Sequence, residues 1–76
     1  TTVPYELAIY AGGSGDVHLT GTDGTNRITI TLTGGATGWY VATGSLPNTD
    51  AFYALRYAGP GVATIDVYAV SLIEWE

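Results

Sequence analysis

The sequence predicts a small all-β domain, an antiparallel β-sandwich or partly open barrel of about six strands, with residues 1–76 forming one unit. Three observations carry that reading. Apolar and polar residues alternate with the two-residue period of a half-buried strand along most of the chain. Glycine-bearing turn signals separate the alternating runs at short intervals. No window shows a helical period, and the 11 glycines recur too often to permit one.

The runs can be justified in order. Tyr5, Leu7 and Ile9 alternate with Glu6, Ala8 and Tyr10, and the glycine-rich stretch Gly12-Gly13-Ser14-Gly15 then signals a break. Val17 and Leu19 resume the pattern against Asp16, His18 and Thr20. Thr22-Asp23-Gly24-Thr25 follows, and Asp-Gly between alternating runs is a strong hairpin signal. Next, Ile28, Ile30 and Leu32 share one face, with Arg27, Thr29, Thr31 and Thr33 on the other. Gly34-Gly35 closes that strand, and residues 38–42 make a fourth. Residues 44–50, with Gly44, Pro47 and Asn48, read as a loop in which Ser45 or Leu46 can be extended ahead of the proline.

Residues 51–58 set Tyr53, Leu55 and Tyr57 against Phe52, Ala54 and Arg56, and Gly59-Pro60-Gly61 is a turn. The last run, 62–75, slips phase: Ile65, Val67 and Ile73 are odd-numbered, whereas Tyr68, Val70 and Leu72 are even-numbered. A bulge at Tyr68 or Ala69 would bring Ile65, Val67, Val70 and Leu72 to one face; the alternative is a strand buried on both faces. Even with the bulge, Ile73 and Trp75 alternate against Leu72, which makes this segment the expected assembly element.

Composition narrows the function classes. A 76-residue chain buries only roughly 60–65% of its unfolded surface, and there is no Cys to cross-link it. A partner subunit, a bound ion or a larger parent protein is the expected source of added stability. Thr1 in place of Met agrees with a processed chain or a piece of a longer protein. Charged residues are only 12%, so Thr, Ser, Gly and Tyr must supply the polar surface. Net charge is -5, and two isolated arginines, Arg27 and Arg56, make no basic footprint for nucleic acid or anionic membrane. No apolar run is long enough to insert into a bilayer as a helix.

Catalytic chemistry is poorly represented. His18 is the single histidine; Asp16 shares its strand face, and Ser14 lies two residues before Asp16, but no oxyanion-hole motif accompanies them. Gly12-Gly13-Ser14-Gly15 lacks the Lys and the strand-to-helix context of a phosphate loop. Asp16, Asp23, Asp50, Asn26, Asn48 and Thr49 are oxygen ligands of the type calcium takes, yet their spacing is that of turns. The expectation is a chain that is not an enzyme and holds no metal and no cofactor.

Nine aromatic side chains are more than so small a core absorbs. Since Trp39 and Tyr40 have opposite alternation, one of them points outward. Trp39, Tyr40, Tyr57, Tyr68, Ile73 and Trp75 are therefore the candidate contact residues, suited to a protein interface or to stacking on sugar rings.

The stretch Ala8-Ile9-Tyr10-Ala11-Gly12-Gly13-Ser14-Gly15-Asp16-Val17, followed by Asp23-Gly24, resembles the opening of small β-rich structural proteins of tailed phages and gene-transfer particles, of the spike-base or fibre type. It covers roughly the first third of the chain. Gly61-Val62-Ala63-Thr64-Ile65-Asp66-Val67-Tyr68-Ala69-Val70-Ser71-Leu72 is similar to the closing strand of jelly-roll carbohydrate-binding modules and phage-fibre sandwiches, although this chain is about half their length. The resemblances imply a structural component of a virion or extracellular surface assembly, a homo-oligomer or a binder of other virion proteins. The competing expectation is a small carbohydrate-binding module with a glycan as partner.

Overall fold

The computed structural model describes residues 2–58 and 65–75. The expected turn at Gly59-Pro60-Gly61 and the expected strand start at 62–64 lie outside these residues, as do Thr1 and Glu76. Among the described residues five strands follow one another: β1 (Thr2–Thr20), β2 (Asn26–Thr33), β3 (Gly38–Pro47), β4 (Ala54–Ala58) and β5 (Ile65–Glu74). All pairings are antiparallel and all involve β1. The result is a small all-β fold, open rather than closed into a barrel.

The expected break at Gly12–Gly15 is not a break. The first two runs are one 19-residue strand, which is why the element count is five. A straight strand of that length would reach roughly 60 Å, yet the molecule is only 36 Å in its longest dimension, so β1 must bend. It bends at the glycines. Gly13 and Gly15 have φ of 110° and 125°, values open to a residue without a side chain and costly for others. The backbone stays paired through the corner: Gly13 lies opposite Ile65, Ser14 opposite Thr33 and Gly15 opposite Leu32. Gly34 at the end of β2 also donates its N–H to Gly13 O at 3.0 Å.

The bend divides β1 between two three-stranded layers. Before the corner it is the middle of a front sheet, β3–β1–β5; after it, the middle of a back sheet, β2–β1–β4. Odd-numbered residues of β1 face inward on both sides of the corner, giving Leu7, Ile9, Ala11, Val17 and Leu19 to one core. Ile28, Ile30 and Leu32 join them from β2, on the face the alternation predicts, and Leu46 from β3.

Two other boundaries differ from expectation. Strand β3 continues through the expected loop to Pro47, because Gly44, Ser45 and Leu46 pair with Tyr5, Pro4 and Val3, and Leu46 is buried. β4 begins only at Ala54; the residues before it are held instead by Thr22, whose Oγ1 accepts the N–H of Ala51 at 2.7 Å. The phase slip in the last strand is a bulge. The register with β1 runs Tyr10↔Ala69 then Ala11↔Val67 and skips Tyr68, so Ile65, Val67, Val70 and Leu72 share the inner phase.

The layers close tightly where β2 crosses β3. A Cβ on Gly44 would stand 2.8 Å from Ile28 Cγ1 and 3.1 Å from the carbonyl of Arg27, so only glycine lets these strands approach so closely.

Truncating Ile30 to Ala removes a side chain that is 4% exposed at the centre of this core, and should cost about 2–5 kcal/mol in urea unfolding. Thr29→Ser, on the opposite face, should cost far less; equal losses would show that the faces are wrongly assigned. Gly15→Ala tests the corner. It should destabilise the fold by about 1–3 kcal/mol, and an unchanged unfolding midpoint would refute the bend as the reason for glycine there.

Candidate functional site

The front and back sheets turn chemically different outer faces to solvent. On the back sheet, polar side chains pair across the strands. His18 Nδ1 lies 2.7 Å from Thr29 Oγ1, and Thr31 donates its hydroxyl to Asp16 Oδ1 at 2.8 Å. Arg56 of β4 stands opposite His18 on the other side. Asp16 and His18 thus each bond to a threonine of β2, and Ser14 sits opposite Thr33.

Asp23 and Asp50, two more of the expected oxygen ligands, are engaged in folding. Asp23 Oδ1 accepts the Thr25 N–H at 3.0 Å, closing the turn where Gly24 takes a φ of 85°. Arg27 falls at a bulge in the β1–β2 ladder and leaves the threonine row on which the alternation placed it. Its guanidinium lies over Gly21 and reaches Asp50 through Nε at 3.1 Å and Asp23 through Nη2 at 3.2 Å. The Arg27 side chain is 18% exposed and that of Asp50 only 3%. Hydrogen bonding to Arg27 holds the Asp50 carboxyl below its ordinary range, and the Thr25 N–H does the same for Asp23. Burial pushes the neighbouring Tyr53 hydroxyl up, with Asp50 acting in the same direction. Among the described residues, no three His, Asp or Glu side chains converge as a metal site would require.

The front sheet is where the aromatics gather. Its outer face carries the even-numbered residues of β1 and the odd-numbered residues of β3. Tyr10 of β1 pairs with Trp39 of β3, with ring centroids 5.4 Å apart and planes tilted by 55°. On the other side Tyr68, swung out by the bulge, brings its ring 6.2 Å from Tyr10 at a tilt of 56°. Three aromatic rings therefore cross three strands in one row. Behind them lie Val41, Ala8 and Ser71, then Thr43, Glu6 and Ile73. Trp39 is 59% exposed, Tyr68 65%, Val41 57% and Ile73 52%. These are large apolar side chains left in water together.

Of the six expected contact residues, Trp39, Tyr68 and Ile73 meet on this face. Trp75 lies at its end, half exposed, with its N–H donated to Pro4 O at 2.8 Å. Tyr40 does not belong there. It faces the core opposite Ile9, and its hydroxyl donates to Ala36 O at 3.2 Å. Tyr57 is exposed but lies on β4 opposite Val17, in the back sheet. Tyr10 is the member that the sequence reading did not single out. Its signal was its position out of phase with Tyr5, Leu7 and Ile9; its neighbours depend on pairing across some thirty to sixty residues of sequence, roughly the scale at which local pattern is silent.

No protein-family model, curated protein or solved structure matches this chain.

The Arg27–Asp50 pair has a testable pH signature. Because the folded Asp50 pKa is depressed, its stabilisation is complete above the ordinary value of 3.8 and is lost as pH falls from there through the lower folded value. Thermal melts between neutral and strongly acid pH should show a steep loss of stability below that point. Asp50→Asn should flatten the acid slope, leaving the part due to Asp23; an unaltered slope would show that the pair contributes nothing.

Proposed function

We propose that this chain is a non-enzymatic assembly domain, a structural component of a virion or extracellular surface assembly, which docks onto protein through the outer face of the front sheet. The observation that carries the reading is the exposed row Trp39–Tyr10–Tyr68 with Val41 and Ile73 behind it. Three strands about 4.8 Å apart and about ten residues long present roughly 400–500 Å² in projection, of which the aromatic row with Val41 and Ile73 is the apolar part. Aromatic side chains also lose little rotamer freedom when a partner covers them, which suits them to protein interfaces.

The composition supports the same reading. Charged residues are only 12% of the chain, too few for a surface whose solubility depends on charge, and a thriftily charged β surface suits an assembled state. The resemblance of residues 8–24 to phage and gene-transfer-particle proteins points to a virion as the setting. A glycan partner fits less well. The three rings are tilted by 55° and 56° rather than lying coplanar, so they offer a sugar ring no flat stacking platform.

The test combines association with glycan binding. Sedimentation of the wild-type chain should show association that the double substitution Trp39→Ser, Tyr68→Ser abolishes, with the circular-dichroism spectrum retained. Association that survives the substitution, or glycan binding that it removes without any change in mass, would overturn the reading.

A further inference from the structure

Resting on the assembly reading above, we propose that the front face is built for a different protein with a basic docking surface, one that sets an arginine or lysine on either side of an apolar centre. Contact between copies of this chain is the weaker use of the same face.

The carboxylates on the face decide this. Glu6 lies on β1, the middle strand, half-buried between Thr43 and Ile73. Asp66 lies on β5 opposite Gly12, exposed and in the outer phase. The row Trp39–Tyr10–Tyr68 falls between them along the strand direction, so one carboxylate flanks the rings on each side. From Glu6 to Gly12 the strand advances roughly 20 Å, at about 3.3 Å per residue. Among the described residues neither carboxylate makes an ion pair. Residues 2–11, β3 and β5 carry no Lys, Arg or His to supply one. A surface that covers the rings with Val41 and Ile73 draws Glu6 out of water and comes up against Asp66. A covered carboxylate without a cation is strongly unfavourable, so the occupant that fits brings a cation to each end.

This chain is not that occupant. Of its two arginines, Arg27 is held by Asp23 and Asp50. Arg56 stands on the back sheet opposite His18, with Asp16 diagonally across from it on β1. Two front faces brought together set Glu6 and Asp66 of each copy, four carboxylates, under one contact with no cation. A front face laid on a back face sets Glu6, Asp66 and Asp16 against one arginine and one histidine. Each copy also carries a net charge of -5, so copies repel at a distance while a basic partner is drawn in. The rings add to the fit. Tyr68 comes two residues after Asp66 and turns to the same face, so a guanidinium that pairs with Asp66 also meets an aromatic ring.

Neutralising the carboxylates tests this, because it should move the two kinds of contact in opposite directions. The probe is a blocked peptide with arginine at both ends, about 20 Å apart when extended, and leucine between them on the same side. Tryptophan fluorescence of the folded chain reads its binding, and sedimentation velocity reads self-association. In the double variant Glu6→Gln, Asp66→Asn, peptide affinity should fall about tenfold or more while self-association tightens. Salt raised from about 0.05 M to about 0.5 M should act in the same two directions on the wild-type chain. Circular dichroism and thermal melts confirm that each variant is folded. No binding of the arginine peptide, equal binding of the same peptide with glutamate in place of arginine, or self-association that weakens in the double variant would each overturn the basic partner. The aromatic-face reading fails by a different result, self-association that persists in Trp39→Ser, Tyr68→Ser. If those rings are required while neutralising Glu6 and Asp66 changes neither contact, the front face binds protein without selecting a basic one, and this inference is overturned alone.

Discussion

Every ladder among the described residues runs through β1, and the two-sheet fold exists because that one strand turns a corner without giving up its hydrogen bonds. A strand has two edges, and β1 uses both along most of its length: β3 and β5 before the bend, β2 and β4 after it. The four outer strands never have to find one another to be anchored. Gly13 and Gly15 make this feasible, since their positive φ values turn the backbone while Ser14 and Gly15 are already in register with β2. Inward-facing odd residues then continue from Leu7 to Leu19 across the corner, so both layers pack on one continuous row of side chains.

That arrangement also explains how a chain of 76 residues without disulfides encloses a core. Burial is concentrated along β1, on β2 and at Leu46, where Gly44 lets β3 approach the backbone of β2. The outer strands on the other flank are less enclosed. Tyr57 of β4 and Val70 of β5 occupy the inner phase yet remain about half exposed. The fold is tight at the β2–β3 crossing and looser at the β4 and β5 edges, so stability is distributed unevenly around the core. The Arg27–Asp50 pair adds a second fastening, tying the β1–β2 turn to the connection that precedes β4, with Thr22 holding Ala51 and Phe52 beside it.

Polarity is distributed as unevenly as burial. The back sheet meets water with threonine hydroxyls paired to His18 and Asp16, while the front sheet meets it with aromatic rings flanked by the carboxylates of Glu6 and Asp66. The corner in β1 that separates the two sheets also sets these unlike outer faces apart.

Alternation alone determined much of this protein. It assigned Ile28, Ile30 and Leu32 to the core, separated Trp39 from Tyr40, and offered a bulge at Tyr68 or Ala69, because side chains on a strand change faces at every residue and a phase slip shows in the sequence. It also placed Trp39, Tyr68 and Ile73 among the contact candidates, while drawing in Tyr40, which points to the core, and Tyr57, which lies on the other sheet. The tertiary structure decided the rest. Glycines in series signal a break when read locally, and only pairing on both edges of β1 keeps the strand continuous through Gly12–Gly15. Gly44, Ser45 and Leu46 look like a loop until Tyr5, Pro4 and Val3 lie beside them. Tyr10 becomes the centre of an aromatic row only when β3 and β5 flank β1. Which face a residue takes is a local property of the backbone, whereas which strand lies beside it depends on closing long loops and burying a shared core, and that balance belongs to the whole chain.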